Sequence, residues 1–202
     1  LQQHNTHLSK IIDALPLGTE ADFSHFVERF YGKLAMDDLL ALEPKKAIAI
    51  AKNAFEFIQE RKSNTPKIRI FTPSKKQHGY EVKHLVLELI NDDMPFLVDS
   101  LSMGLNRLGF TIYSTIHPIL SVARDKNGKL SALGEKGEKK ESLIHFEISS
   151  IPDGMSEQKF LEDIECILLN VRSGVNDWKN IIHKVNAAAE LIKTYKRPKN
   201  DD

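Results

Sequence analysis

The sequence has little cysteine and no long apolar run. Cys166 is its only cysteine, which excludes an internal disulfide and favours a reducing compartment. No apolar stretch reaches the ~20 residues that a membrane-spanning helix needs. Residues 1–15 also lack the order of basic and then apolar residues that marks a signal peptide. We therefore expect a cytoplasmic protein with no membrane partner. Cys166 lies in a helical pattern, where we expect it to be a buried small hydrophobe.

An excess of either charge is also missing. Lys and Arg number 28 and Asp and Glu number 28, so the net charge is zero and the pI is about 7.3. A chain with this balance is not drawn to nucleic acid or to anionic lipid by bulk electrostatics. The hydrophobic fraction of 41% is ordinary for a globular protein, and 202 residues suffice for one large domain or two small ones.

The signatures of common cofactors and catalytic centres are absent as well. There is no G-x-G-x-x-G, no Walker A loop, no G-x-S-x-G elbow, no H-E-x-x-H and no cysteine pair for zinc. The nearest feature is GEKG at 134–137, in a charged stretch (134–141) that we interpret as a loop. We predict no cofactor and no metal in this chain. The sequence begins at Leu1 without a methionine, which favours a chain cut from a longer one.

The first third of the sequence is typical of helices. Thr19 and Asp22 resemble a capping box, and the apolar residues that follow have helical spacing. A short helical turn is predicted at 36–42. Pro44 then opens a second amphipathic helix, which should end near Lys62.

The remainder alternates between strands and helices. Strands are predicted at 67–71, at 84–90 in the middle of a sheet, in a β-rich stretch at 110–125 and at 142–151. Pro118 indicates an edge position or a bulge, and Asn127-Gly128 indicates a hairpin turn. Pro95 starts a helix that stops at Gly109. Ser156 caps another, and a separate helix follows Gly174.

This order predicts an α+β fold. Its core is a ferredoxin-like β-α-β-β-α antiparallel sheet with helices on one face, preceded by a helical N-terminal segment. The predicted parts are a helical segment at 1–64, the α+β domain at 65–192 and a flexible tail at 193–202. The pattern is not βαβα, so a doubly wound nucleotide-binding domain is not expected.

The stretch NDDMPFLVDS (91–100) is the most distinctive motif. Its candidate site residues are Asn91, Asp92, Asp93, Met94, Pro95, Phe96 and Asp99. One interpretation is that Asp92 and Asp93 cap the following helix and Asp99 complements its dipole. The second is a small-ligand or subunit-interface loop. Catalysis is disfavoured because no base, nucleophile or metal ligand shares the element.

Histidines on the predicted strands define a second candidate surface. His84 shares a face with Glu88, and His145 shares a face with Glu147, if the strands alternate regularly. Tyr113 and His117 join this face in the same scheme; three imidazoles and two carboxylates could bind a metal. The competing interpretation is a semi-polar face that the N-terminal helices or a partner cover.

Several stretches resemble one family. NDDMPFLVDSLSMGLNRLGFTIYSTIHPIL, FVERFYGKLAMDDL, FEFIQERKSNTPKIRIFTP, RDKNGKL, ESLIHFEIS and VRSGVNDW are similar to the N-terminal region of the large bacterial NAD-dependent glutamate dehydrogenases. The resemblance covers roughly residues 20–185. It implies a much longer parent that converts L-glutamate and NAD to 2-oxoglutarate, ammonia and NADH, with the catalytic and NAD-binding parts elsewhere.

The resemblance also implies an ACT-like domain with a regulatory or assembly role. Its partners would be other domains and subunits of the parent, with an amino-acid effector held by the loop after the first strand. The ACT pattern in that loop is an acid, one residue, Pro, Gly and an apolar residue. Here Phe96 replaces the glycine and is expected to fill the ligand space. The C-terminal strand usual in ACT domains is not evident, and residues 67–71 are expected to take an equivalent edge.

Three alternatives stay open at this stage. The domain could be a purely structural interdomain or oligomerisation module without a ligand, which Phe96 favours. It could be an independent metal-dependent enzyme that uses the histidine face. It could be an RNA-binding module, but the neutral charge and a single candidate aromatic, Tyr113, disfavour nucleic acid.

Overall fold

The structure, a computed structural model, describes residues 2–134 and 139–194. Its helices are α1 (Gln2–Asp13), α2 (Ala21–Tyr31), α3 (Met36–Ala41), α4 (Pro44–Ile58), α5 (Lys75–His78), α6 (Leu97–Arg107) and α7 (Glu157–Thr194). Its strands are β1 (Lys67–Phe71), β2 (Leu85–Asp92), β3 (Ile112–Ile116), β4 (Ile119–Arg124), β5 (Leu130–Leu133) and β6 (Lys139–Ile148). The mixed α and β content and the helical first third are confirmed. Helix α5 lies in a stretch where no element was predicted.

Helix α2 has the predicted apolar stripe but not the predicted capping box. The buried residues of α2 are Phe26, Val27, Phe30 and Tyr31. The helix begins at Ala21, and no side chain caps it. The Thr19 hydroxyl instead donates to the Pro16 carbonyl oxygen at 2.6 Å. The capping-box prediction is therefore wrong, because the preceding turn uses the hydroxyl that the box requires.

Helix α4 begins at Pro44 as predicted and packs against α2. Its buried alanines allow close approach, and the Tyr31 hydroxyl donates to the Ala47 carbonyl oxygen at 2.8 Å. The helix ends at Ile58 rather than near Lys62. The reason lies in the next residues: the Leu130 amide donates to the Gln59 carbonyl oxygen at 2.8 Å. Pairing with the β4–β5 hairpin therefore draws the chain out of the helix.

The six strands form one antiparallel sheet in the order β1-β2-β6-β4-β5, with β3 also paired to β6. Strand β2 lies between β1 and β6, which confirms its predicted central position. Strand β1 lies beside β2 at the edge predicted for residues 67–71. Strand β6 thus lies between the two halves of the sheet, paired with β2 on one side and with β3 and β4 on the other.

Strands β3 and β4 run along the same side of β6 and are separated at His117 and Pro118. Ile116 lies opposite His145, and Ile119 lies opposite Ser142, so the register continues across the break. The Pro118 carbonyl oxygen accepts from the Leu143 amide at 3.1 Å. Among the described residues no other strand pairs with β3, so Pro118 sits at an edge, as predicted.

The β4–β5 hairpin has the turn that Asn127-Gly128 predicts. Gly128 has a φ of +85°, and the Asp125 carboxylate accepts from the amides of Asn127 and Lys129. Strand β6 then begins at Lys139, so residues 139–141 are strand rather than the predicted charged loop. Pairing with β4 explains the difference. Residues 135–138, which include most of GEKG, lie outside the described residues, as do residues 195–202 of the predicted tail.

Helix α7 is one helix of 38 residues, so the predicted break at Gly174 is wrong. A single glycine costs a helix only about 1 kcal/mol, and the residues on either side favour helix. The predicted Ser156 cap is confirmed, since its hydroxyl accepts from the Lys159 amide at 3.1 Å. The stop of α6 at Gly109 is also confirmed, with a φ of +90°. Cys166 on α7 is exposed rather than buried.

Helices cover both faces of the sheet. On one face α6 and α7 pack against alternate sheet residues, including Leu87, Leu89 and Phe146. On the other face α1–α4 pack against Ile90, Leu143 and further sheet residues. The predicted helices on one face are therefore α6 and α7, and the N-terminal helices cover the second face. In residues 2–134 and 139–194 no helix has both the length and the apolar character to cross a membrane.

Candidate functional site

The predicted loop begins inside the sheet. Asn91 and Asp92 are the last residues of β2, and they lie opposite Ser142 and Glu141 of β6. The strand prediction ended at residue 90, so these two residues were placed in the connection to α6. Their position in a paired strand means that Asp92 does not cap the helix. The capping interpretation of Asp92 is wrong because strand pairing extends two residues further.

Asp92 instead joins the sheet to two more distant parts of the chain. Its carboxylate accepts from Arg61, after α4, at 2.8 Å and from Arg172, on α7, at 3.1 Å. Arg172 also donates to the side-chain oxygen of Asn91 at 3.0 Å. The motif is therefore the point where α7 and the segment after α4 are tied to the end of β2.

Glu141 lies at the centre of the same ion network. Arg61 donates to its carboxylate at 2.6 Å, and Arg124 donates to both of its oxygens at 2.9 and 2.8 Å. Arg61 and Glu141 side chains are only 1% and 3% exposed. The two arginines also donate to backbone groups: Arg61 donates to the Thr65 carbonyl oxygen and Arg124 to that of Gly128.

A cavity of about 360 Å³ lies beside this network and is lined by several cationic side chains. Its buried arginines already bind carboxylates and carbonyl oxygens, so they are not available to hold an anion. A buried pair of this kind is costly to break because the remaining charge is left without a partner in a low-dielectric site. The network therefore stabilises the fold and is not an anion-binding site.

Asp93 does not cap α6 either. Its carboxylate accepts from the Ser142 hydroxyl at 2.7 Å, and its amide donates to the Lys140 carbonyl oxygen at 3.0 Å. The helix begins at Leu97 with no side-chain cap, so Pro95 lies two residues before its first residue. Asp99 lies in the first turn, where a negative charge complements the helix dipole, as predicted.

Phe96 has an unusual backbone and an exposed ring. Its φ is +66°, in the left-handed region that a glycine adopts without strain. Its side chain is 64% exposed. The ring is thus mostly in solvent while the residue lines the loop cavity, and its role in filling the ligand space stays a prediction. Met94, by contrast, is partly buried against the core under α6 and α7.

The loop borders an open cavity of about 380 Å³ at the protein surface. It is lined by residues 93–99 together with His117 and Ile119 at the junction of β3 and β4. The His117 Nε2 atom is buried and has no hydrogen-bond partner among the described residues. Burial lowers the pKa of His117 below its ordinary value, and the charge of Asp93 opposes this shift. The structure thus brings His117 to the predicted loop, a proximity that spacing alone did not indicate.

This cavity could recognise a small zwitterion. The carboxylates of Asp93 and Asp99 could accept from an ammonium group, and the amides at the start of α6 could donate to a carboxylate. A neutral His117 could donate or accept at its unpartnered nitrogen. The cavity volume lies within the range of small-molecule sites.

The histidine face is a packed interior. Glu88 and His145 are cross-strand partners, with His145 Nδ1 2.8 Å from the Glu88 carboxylate, and Arg69 binds the same carboxylate at 2.6 Å. Burial by itself would raise the pKa of Glu88, but the hydrogen bonds and charges of His145 and Arg69 hold it below its ordinary value. The ring of Phe30 from α2 lies 6.1 Å from that of His145. The N-terminal helices thus cover this face.

The three imidazoles do not meet. His84 stacks on Tyr113 with ring centroids 3.9 Å apart, while His117 lines the loop cavity and His145 pairs with Glu88. In the part of the chain that the structure describes, no three His, Cys, Asp or Glu side chains form a group that could hold a metal ion. The face is better explained by packing than by metal binding.

The residues that sequence reasoning missed are the partners of the motif. They are Arg61, Arg124, Glu141 and Arg172; His117 was named only as part of the histidine face, and its place beside the loop was missed. Each reaches residues 91–93 or Glu141 only through the tertiary fold. The one available signal was the alternation in β6: extending its strand pattern back to Lys139 would have placed Glu141 in a strand rather than in a charged loop.

Comparison with known proteins identifies the class to which this fold and loop belong. A family model described as "Glutamate dehydrogenase, ACT1 domain" matches residues 26–164, and the chain belongs to this family. The match begins inside α2 and spans α3, α4, the sheet and the start of α7, while α1 lies outside it. The family resemblance that the motifs indicated is thereby confirmed.

Two curated relatives make the class more specific. Over 181 residues the chain is 30% identical to the NAD-specific glutamate dehydrogenase of Halomonas elongata, and the match covers 85% of this chain and 11% of that protein. Over 172 residues it is 28% identical to the NAD-specific glutamate dehydrogenase of Pseudomonas aeruginosa, covering 83% and 10%. The chain thus spans about a tenth of the length of these relatives. No solved structure matches it.

Proposed function

We propose that this chain is a noncatalytic regulatory and assembly domain of a NAD-dependent glutamate dehydrogenase. The observation that carries the proposal is the family match over residues 26–164 in a chain whose relatives are about eight times longer. In the proposed parent, L-glutamate is oxidatively deaminated to 2-oxoglutarate with NAD, and the NAD site lies elsewhere. The proposed partners are other domains and subunits of the parent, and the proposed compartment is the cytoplasm.

The contacts of the motif support a noncatalytic role. Asp92 is held by two arginines and Asp93 by the Ser142 hydroxyl, so both carboxylates have structural partners. A general acid or base must be free to exchange a proton with a substrate. The proposed division is a helical segment at 1–64, an ACT-like domain at 65–192 and a tail at 193–202. The edge position of β1 beside β2 supports the ACT-like arrangement.

The regulatory part of the proposal is that the loop cavity binds an amino-acid effector. Its volume of about 380 Å³ and the carboxylates of Asp93 and Asp99 support this, as does the His117 Nε2 atom, which has no partner within residues 2–134 and 139–194. An effector acts only if it binds two states of the parent with different affinity. The cavity joins the start of α6 to the β3–β4 junction, so a ligand there would link a helix to the sheet edge.

A purely structural module without a ligand is the second candidate. The observation that favours it is Phe96 at the position where the ACT pattern has glycine. A glycine allows a ligand to approach the backbone closely, and a phenylalanine limits that approach. Its ring is exposed, however, which leaves the cavity open in this chain.

The test is a thermal-shift screen of the chain against L-glutamate, 2-oxoglutarate, other amino acids, NAD and divalent metals. A ligand that binds only the folded state raises Tm by mass action. At a ligand concentration of 100 times Kd, the free energy of unfolding increases by about 2.7 kcal/mol. We expect an amino acid to raise Tm, and we expect Asp93→Asn to abolish that rise. Glu141→Gln, which changes the buried network outside the cavity, is the control and should keep the rise. Asp99→Asn tests the second carboxylate separately. No shift at millimolar concentration of any amino acid would favour the structural module.

A second test uses the full-length parent enzyme. We expect His117→Ala to leave the basal rate within about twofold while it changes the response to the effector found in the screen, since coupling energies are typically 1–3 kcal/mol. Leu17→Ala, at a fully exposed residue outside the cavity lining, is the matched control. A large loss of basal rate in His117→Ala alone would contradict a noncatalytic role for this domain.

A further inference from the structure

Helix α7 carries one apolar stripe that is buried along its first half and exposed along its second. The stripe advances in alternate steps of four and three residues through Ile164, Leu168, Val171, Val175, Trp178, Ile182, Val185, Ala189 and Ile192. The residues up to Val175 belong to the core under α6 and α7. A repeat of 3.5 residues keeps a stripe facing one partner helix, which is the pattern of a helix-pair seam.

The exposed part of the stripe is large. Trp178 is 59% exposed, Ile182 41%, Val185 56% and Ile192 75%. Beside Val175 the stripe runs into a groove of about 470 Å³ between α6 and α7, where Phe96 and Met103 are 64% and 72% exposed. Single exposed apolar residues are normal on a protein surface, but a continuous patch of this kind marks an interaction site.

We propose that residues 175–192 of α7 pair with the same segment of a second copy of this chain, antiparallel about a twofold axis. The axis passes between His183 and Lys184, which lie off the stripe. In this register Val175 faces Ile192 of the second copy, and Ile182 faces Val185 of the second copy. A twofold contact must be self-complementary, and this spacing satisfies that condition at every stripe position.

Side-chain size selects this arrangement. In the antiparallel register the large Trp178 faces the small Ala189 of the second copy. In a parallel register Trp178 would face Trp178 and Ala189 would face Ala189, so one layer would be overfilled and another would leave a void. Helix pairs lose stability through both defects. The alternation of large and small residues therefore favours the antiparallel pair.

Charge and area are compatible with a second copy. Arg172 binds Asp92 at 3.1 Å, and Lys193 binds Glu190 at 2.6 Å, so the cations near the two ends of the seam are neutralised within each copy. Summed over ordinary side-chain areas, the exposed stripe and the groove residues offer roughly 700 Å² per copy, near the ~800 Å² per partner of a standard specific interface. The end of one α7 would lie along the groove beside Phe96 and Met103 of the other copy.

This interface rests on the assembly part of the proposed function and names the surface that performs it. The same geometry places the loop that starts α6 next to the contact, because Phe96 lines both the loop cavity and the groove. Occupancy of the cavity and pairing of the helices would therefore be linked through one residue.

The first experiment is sedimentation equilibrium of the 202-residue chain over a range of concentrations. We expect a dimer that Ile182→Glu weakens by roughly 30-fold or more in Kd, the size expected for an interface hot spot. Ala187→Glu adds the same charge to an exposed position on the opposite side of α7 and should change Kd less than about threefold. Circular dichroism of both variants checks that the helix is intact.

The second experiment tests the register by disulfide cross-linking in a Cys166→Ser background. Residues 175 and 192 are about 26 Å apart along the helix, so neither position meets itself in the antiparallel pair. We expect Val175→Cys mixed with Ile192→Cys to cross-link, and each variant alone not to. Cross-linking of Val175→Cys with itself would overturn the antiparallel register.

A chain that stays monomeric at about 100 µM would overturn the interface and leave the stripe to a helix from another part of the parent. The proposed function fails by a different result, since it depends on the thermal-shift screen and on the response of the parent enzyme to an effector. A monomer that still binds an amino acid would refute the helix pair alone. A dimer that binds none would refute the effector alone.

Discussion

Glu141→Gln removes the charge at the centre of the buried ion network with almost no change in volume. The substitution leaves Arg61 and Arg124 beside a neutral amide, although both sit in a nearly dry site: their side chains are 1% and 10% exposed. Breaking a buried pair by neutralising one partner typically costs 3–5 kcal/mol. Arg61 keeps its bond to Asp92, which places our expectation at about 3 kcal/mol.

The assay is urea unfolding at neutral pH, followed by circular dichroism. With a slope of about 2 kcal/mol/M, a loss of 3 kcal/mol lowers the unfolding midpoint by about 1.5 M. The matched control is Glu60→Gln, the same chemical change at a side chain that is 66% exposed and 3.8 Å from Lys129. An exposed pair contributes about 0–1 kcal/mol, so the control should shift the midpoint very little.

Equal losses in the free energy of unfolding of the two variants would refute a special stabilising role for the buried Glu141 charge. A double variant offers a further check, because Arg124→Met together with Glu141→Gln removes one of the two stranded charges. We expect that pair of changes to cost less than the sum of the single changes. Additivity within about 0.5 kcal/mol would mean that Glu141 and Arg124 do not interact energetically.

Three further predictions concern single side chains. The pKa of Glu88 is lower in the folded state than in the unfolded state. The ionised carboxylate therefore contributes its full stabilisation above the unfolded pKa, and this is lost as the pH falls through the folded pKa. Glu88→Gln should thus flatten the fall in stability below about pH 4. Phe96→Gly should raise the free energy of unfolding by about 0.5–1 kcal/mol, because relief of about 1–2 kcal/mol of left-handed strain exceeds the entropy that glycine adds to the unfolded state. A lower free energy of unfolding, measured by chemical denaturation, would contradict this. Gly128→Ala should be at least about 2 kcal/mol more destabilising than Gly154→Ala in thermal unfolding. Both glycines have positive φ, but only at Gly128 would a methyl group collide with the Arg61 carbonyl oxygen. Equal losses of stability would show that this contact is unimportant.

Local patterns predicted the elements whose signals lie within a few residues of each other. Pro44, Ser156 and Gly109 mark helix ends by what proline, a hydroxyl and a positive φ do to the adjacent backbone, and each is confirmed. The Asn127-Gly128 turn is confirmed for the same reason. These residues act on their own neighbours, so their effect survives whatever the rest of the chain does.

The predictions that failed depend on partners far along the sequence. Asp92 looks like a helix cap until β6 pairs with it and Arg61 and Arg172 bind it, contacts that span 31 and 80 residues. Gly174 looks like a break until the length of α7 outweighs one glycine. The candidate motif could thus be located from sequence, but its role could not, because the charges that define it come from four other elements.

The central position of β6 has a consequence for synthesis of the chain on the ribosome. Strand β6 pairs with β2 on one side and with β3 and β4 on the other, yet among the strands of the described residues it is the last to be made. About fifty residues separate the end of β2 from Lys139, so at 5–20 residues per second the buried edge of β2 waits roughly 2–10 s for its partner. During that interval two half-sheets with open apolar edges must be kept apart from other nascent chains. The order of the strands therefore makes this domain a candidate for chaperone protection until residue 148 has emerged.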